Sequence, residues 1–132
     1  MGDITENFSR KEFVCKCGCG LDRIDERVVH RLQVARDISR VAIKINSGCR
    51  CKKHNADEGG KPNSFHLLQE DGFTKAIDWC FYNSENGLLE KLCTKLLDNW
   101  SGGFHFYPER TLPNGIIQPP FCHCDIGRRR RW

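Results

Sequence analysis

The chain has 132 residues, 39% hydrophobic and 29% charged, and a net charge of +4. That length suits one domain with a core of its own, and no apolar run is long enough to span a membrane. Nine cysteines is a high count; the polar start MGDITENFSRKEF, without an apolar leader, points to synthesis in a reducing compartment, where disulfides are rare, and the odd number leaves at least one cysteine unpaired.

Residues 1–132 are read as a single domain, with a cysteine-rich segment at 1–20 and a basic tail at 128–132. The four arginines at 128–131 are expected to form a solvated tail, or to meet an anionic partner such as cell wall or membrane surface. The rest of the chain is nearly balanced in charge, which argues against nucleic acid as a partner.

Ser9 and Glu12 form a capping-box pattern for a short helix ending near Phe13. Gly18 and Gly20 relax the cysteine-rich turn that follows. Asp25 opens a helix to about Ser39, with Val28, Leu32, Ala35 and Ile38 at helical spacing. Alternation predicts a strand over 41–46. Residues 47–64, with Gly48, Gly59, Gly60 and Pro62, read as a long loop, which in a compact domain points to function or disorder.

A second strand is expected over 75–81. A helix is expected over 85–100, with Leu88, Leu89, Leu92, Leu96 and Trp100 on one side. Gly102 and Gly103 end it. Strands are expected at 104–107 and 121–126, joined by a turn-rich loop containing Pro108, Pro113, Asn114 and Gly115. The class is α+β, with helices packed on a small, mostly antiparallel sheet.

The cysteines alternate: Cys15, Cys17 and Cys19, then Cys49 and Cys51, then Cys122 and Cys124. On extended segments such spacing places thiols on one face. Cys15, Cys17, Cys19, Cys49 and Cys51 are therefore candidates for a second, structural zinc site. The alternative is a set of buried, inert thiols.

Three segments carry candidate chemistry: SGCRCKKHNADEGGKPNSFHLL at 47–68, KAIDW at 75–79 and FCHCDIG at 121–127. Asp78 lies in an apolar strand, where a carboxylate needs a partner. With NFSRKEFVCKCGCG, GGFHFYP and the closing HCDIGRRRRW, these segments resemble the zinc D-alanyl-D-alanine carboxypeptidase and endopeptidase family. The resemblance is nearest to its short phage and bacterial branch. The vancomycin-resistance dipeptidases, phage L-alanyl-D-glutamate endolysins and the hedgehog signalling domain share that metal site.

The resemblance implies a hedgehog-like α+β fold and one catalytic Zn2+ held by His66, Asp78 and His123, with water as the fourth ligand. It implies that Arg50 grips a substrate carboxylate or carbonyl oxygen, as a guanidinium fork suits; a plain salt bridge is the alternative. Ser64 is expected to orient ligands by hydrogen bonding or to meet substrate, and Tyr107 to line the substrate site.

The chain departs from the family at three points. Asp78 follows His66 by more residues than in relatives, through the insertion QEDGFT, so Glu70 and Asp71 become substitute ligands. Pro120 stands where relatives carry the general base. Asp125 shares a strand face with His123 and is the replacement base, or else an acceptor that orients a ligand. Glu109 is a further candidate base. His105 replaces a glycine of relatives and either stabilises an oxyanion or sits exposed at a sheet edge.

The expected function is hydrolysis of peptide bonds in peptidoglycan stem peptides, as a carboxypeptidase or endopeptidase such as a phage endolysin. The chain would be monomeric, made in the cytoplasm, and would act on the cell wall after release or phage carriage. Two other readings are an inactive zinc-binding ligand of the same fold and a cysteine-rich structural module.

Overall fold

The computed structural model describes residues 2–82, 88–97 and 100–131. Its elements are a 3-10 turn at Arg10–Phe13, α1 (Glu26–Ser39), β1 (Ile43–Ser47), α2 (Lys52–Asp57), β2 (Ala76–Phe81), α3 (Leu88–Leu97), β3 (Gly103–Tyr107), β4 (Arg110–Thr111), β5 (Ile117–Gln118), β6 (Phe121–Asp125) and β7 (Arg130–Arg131). Five strands form one sheet in the order β1-β2-β6-β3-β7, antiparallel except for the β3–β7 pair. The expected α+β class is the class observed.

Strand alternation divides the sheet into two faces. Ile43, Ile45, Ile77, Trp79, Phe81, Cys122, Cys124 and Phe104 join the core with Val28, Val29, Leu32 and Ala35 of α1 and Leu89 of α3. The intervening Lys44, Asn46, Asp78, Cys80, Tyr107, Phe121 and His123 line an open cleft on the opposite face. Ile38, assigned to the core by periodicity, is 52% exposed. The helix ends at Ser39, and its buried residues stop at Ala35, one turn earlier. Glu85, the expected start of the last helix, lies outside the described residues.

Three local features differ from expectation. Within the supposed loop 47–64, Lys52–Asp57 forms α2, capped by Cys51, whose sulfur accepts from the His54 amide. The loop between the last strands holds the β4–β5 hairpin, which Gly115 turns at φ 85. The arginine tail is anchored as well as solvated: Arg128, Arg129 and Arg131 are exposed, yet most of the run has partners in the fold. Arg130 and Arg131 pair with β3, while Arg129 and Arg131 donate to the carbonyls of Trp100 and Gly102. Those carbonyls follow α3 and need donors, which a guanidinium supplies.

Asp25 caps α1 as expected, accepting from the Arg27 amide. Its carboxylate also takes Lys75 Nζ at 2.8 Å, and Lys75 bonds Asp71 at 2.7 Å. The insertion at 69–74 thus packs beside the start of α1, with Arg23 over the Phe73 ring. Asp71 is committed to Lys75, Glu70 is exposed, and neither lines the cleft. They are not substitute ligands.

The Arg27 hydrogen bond, against burial and joined by Lys75, holds the Asp25 carboxyl well below its ordinary value of 3.8. Asp25→Ala is expected to cost about 2–3 kcal/mol, from the lost cap and the Lys75 bond; the exposed Arg27 side chain adds little. A depressed folded-state pKa means the contribution is complete above the unfolded value and is lost as pH falls through the folded one. Urea unfolding at about pH 7 and about pH 3 is expected to show the gap between parent and variant narrowing in acid. An equal gap at both would rule the charge out as its source.

Candidate metal centre

Register builds the centre. Asp78 of β2 lies opposite His123 of β6, and His123 lies opposite His105 of β3. On the other side a register shift between Ile45 and Ser47 places Ser47 against Asp78. Ser47, Asp78, His123 and His105 therefore form one row across the sheet, and the first three line the cleft. His66 arrives from a loop laid against residues 48–50. The Arg50 amide donates to the His66 carbonyl, and the Lys75 amide to the Phe65 carbonyl.

His66, Asp78 and His123 each bring one ligand-type atom within 4.8 Å of the others. His123 Nδ1 is 2.9 Å and His66 Nε2 3.2 Å from the same oxygen, Asp78 Oδ1. His66 is 2% exposed, and its Nε2 is buried without a directed hydrogen bond. A buried imidazole nitrogen left in that state is costly unless something else takes its lone pair.

The far side of each ring is held. His66 Nδ1 is 2.7 Å from the Gly48 carbonyl, which accepts from that ring N–H and leaves Nε2 as the atom facing Asp78 and His123. His123 Nε2 is 2.9 Å from Asp125 Oδ2. Such outer carbonyl and carboxylate partners are what orient histidine ligands. Two imidazoles and one carboxylate, with no fourth protein donor among the described residues, match an open zinc site.

Charges are strongly coupled here. Burial would raise the Asp78 carboxyl, but His66 and His123 hold it well below the usual carboxylate range. Burial would lower the His123 ring, but hydrogen bonds to Asp125 and Asp78 outweigh it and raise the ring to about 9.

Arg50 stands over this group. Its Nη2 donates to Asp78 Oδ2 at 3.0 Å and its Nε to Ser47 Oγ at 3.0 Å. Both the expected salt bridge and a place in the cleft wall are present. The Ser64 hydroxyl accepts the His66 amide at 3.1 Å and also lines the cleft. Tyr107 lines it too, stacked on Phe121 with centroids 4.7 Å apart. His105 is half-buried against Tyr107 and is absent from the described lining; burial and His123 lower its pKa.

Asp125 does not occupy the position of a cleft base. It is fully buried and absent from the described lining, and its oxygens accept from the Gly103 and Gly127 amides, Arg130 and His123. The geometry fits the alternative raised from the sequence, an acceptor behind His123. Glu109 is exposed and also outside the described lining. Among the described residues, the carboxylates that do line the cleft are Asp78 and Glu58, with Glu58 3.8 Å from His54.

Gly102 and Gly103, at the entry to β3, have a role that their sequence neighbours do not reveal. A Cβ at Gly103 would lie 2.5 Å from Asp125 Oδ2, and one at Gly102 would overlap the Asp125 backbone. The pair makes room for a buried carboxylate; the described part of α3 stops at Leu97, so the glycines shape the entry to β3 and do not form the last turn of the helix.

The cleft has a volume of about 1450 Å³. Lys16, Lys44, Arg50, Lys61, Arg110 and the four arginines at 128–131 line it, against only Glu58 and Asp78 among the described residues. Such a wall attracts carboxylate-bearing ligands.

The family profile described as peptidase M15 matches residues 6–106. That span contains Arg50, Ser64, His66 and Asp78; His123 lies beyond it. No curated protein and no solved structure matches the chain.

Proposed function

We propose that this chain, which belongs to the peptidase M15 family, hydrolyses peptide bonds in peptidoglycan stem peptides with one zinc ion held by His66, Asp78 and His123. The observation that carries the reading is the convergence of His66 Nε2, Asp78 Oδ1 and a His123 ring whose far nitrogen is held by Asp125. The cationic cleft supports a substrate rich in carboxylates.

When bound, Zn2+ polarises a scissile carbonyl and lowers the pKa of water. The chain's own residues set the stage for that chemistry. Gly48 and Asp125 fix the two imidazole planes. Arg50 holds Asp78 Oδ2, which leaves Oδ1 directed at the histidines. Ser64 fixes the backbone of His66, and the arginines at 128–131 draw substrate carboxylates into the cleft.

A second reading is a zinc-binding module of the same fold without hydrolysis. Pro120 at the usual base position, and an Asp125 enclosed behind His123, favour it.

The full chain, loaded with zinc, is to be incubated with purified peptidoglycan and with a synthetic stem pentapeptide, and products read by mass spectrometry. Cleavage that a chelator stops and zinc restores is the expected result. Zinc bound without cleavage of either substrate would favour the second reading. Zinc retained in full by a His66→Ala, His123→Ala variant would overturn the metal assignment itself.

A further inference from the structure

A second convergence of metal-ligand side chains lies at the N-terminal segment. Cys15, Cys17 and Cys19 follow the 3-10 turn, and Cys51 caps α2. Their four sulfurs lie within 4.8 Å of one another. Cys15 and Cys17 Sγ are 3.4 Å apart, and Cys17 and Cys51 Sγ 3.6 Å. A tetrahedral zinc with Zn–S bonds of about 2.3 Å needs sulfurs about 3.8 Å apart.

The backbone that gathers them is a turn, not the extended segment expected from the alternation. The Cys15 amide donates to Leu21 O at 2.8 Å, and the Gly18 amide to Cys15 O at 3.3 Å. Gly18 and Gly20 sit at φ 86 and 84, which only glycine adopts without strain. Two amides already point at the sulfurs. Cys51 N donates to Cys15 Sγ at 3.5 Å, and His54 N to Cys51 Sγ at 3.4 Å. Amide donors of this kind stabilise thiolate ligands.

Cys49, grouped with these four on spacing, does not join them. It is buried, with its sulfur 3.0 Å from Thr74 Oγ1. The neighbouring position Arg50 separates a core-facing cysteine from a cluster-facing one.

We propose that Cys15, Cys17, Cys19 and Cys51 bind one zinc ion in a structural site separate from the His66–Asp78–His123 group. The ion ties the N-terminal turn to the segment that carries Arg50 and starts α2. It thereby braces the cleft wall that Lys16 and His54 share. Cys17 and Cys19 are exposed, so the ion exchanges from solvent.

The test uses the full chain, with Co2+ as the probe in place of zinc, and three proteins: the parent, Cys17→Ser with Cys19→Ser, and His66→Ala with His123→Ala. The parent is expected to hold about two metals per chain and each double variant about one. Thiolate-to-cobalt charge-transfer absorption is expected in the parent and the histidine variant, and to vanish in the cysteine variant.

The parent and histidine-variant spectra keep the test decisive even if the cysteine variant misfolds. Cobalt-loaded parent without that absorption would overturn the proposal. The Cys93–Cys122 disulfide leaves seven free thiols, and a disulfide mapped to Cys15, Cys17, Cys19 or Cys51 in unreduced protein, chelated and unfolded without air, would overturn it too. Either failure leaves the hydrolytic reading standing, because that reading rests on the histidine group alone.

Discussion

Asp125→Ala is expected to lower stability by about 3–5 kcal/mol and to weaken zinc binding roughly 10–100-fold. The carboxylate has no exposed surface. Oδ1 accepts the Gly103 and Gly127 amides, each at 3.0 Å, and Oδ2 takes His123 Nε2 at 2.9 Å and Arg130 Nη2 at 3.0 Å. Burial pushes the carboxyl up, but the bonds from His123 and the two amides outweigh it and hold it below the usual carboxylate range.

Alanine leaves the two amides and the imidazole without their acceptor, and each such loss at a buried group costs about 1–3 kcal/mol. Arg130 is more exposed and contributes less. The zinc term separates positioning from base catalysis. A positioning residue alters metal affinity through the angle and basicity of His123. A general base alters turnover alone. A competition titration for zinc beside a denaturant curve reads both, and an Asp125→Ala chain with parental zinc affinity would return Asp125 to the role of base.

Arg50→Ala is expected to destabilise the metal-free chain by about 3–5 kcal/mol, the range for breaking one side of a buried ion pair. The side chains of Arg50 and Asp78 are only 12% and 11% exposed. Arg50 also bonds Ser47, and its Nη1 is 3.4 Å from Asn55 Oδ1. Its removal therefore loosens β1, β2 and α2 together.

Arg50→Lys is expected to recover roughly half of the loss, since an ammonium keeps the charge but lacks the fork that serves several partners at once. Urea unfolding of the chelated proteins measures this. Identical midpoints for parent and Arg50→Ala would show that the pair contributes nothing to the fold.

Local patterns carried the expected elements a long way. The helix from Asp25, the strands around Ile43, Ile77, Phe104 and Phe121, and the chemistry of His66, Asp78 and His123 all depend on a few neighbouring residues. Period two and period 3.6 are written in adjacent positions, and donor atoms are a property of residue type. The QEDGFT insertion and the arginine tail were legible as composition but not as contacts. Their partners, Asp25 with Arg23 and the carbonyls after α3, are remote in sequence.

What the sequence by itself determined was the α+β class, the alternation that puts acid and histidine on one face, and a set of residues able to bind metal. Only the tertiary structure decided which of them meet. Strand register set Asp78 against His123, 45 positions away. A shift in β1 turned Ser47 towards them. Enclosure by Gly103, Gly127 and Arg130 seated Asp125 behind His123, and a glycine turn sent Cys51 into the thiol cluster while Cys49 went to the core. The reason is common to all of these: a side chain's type is local information, whereas its burial and its partners depend on segments that only folding brings alongside.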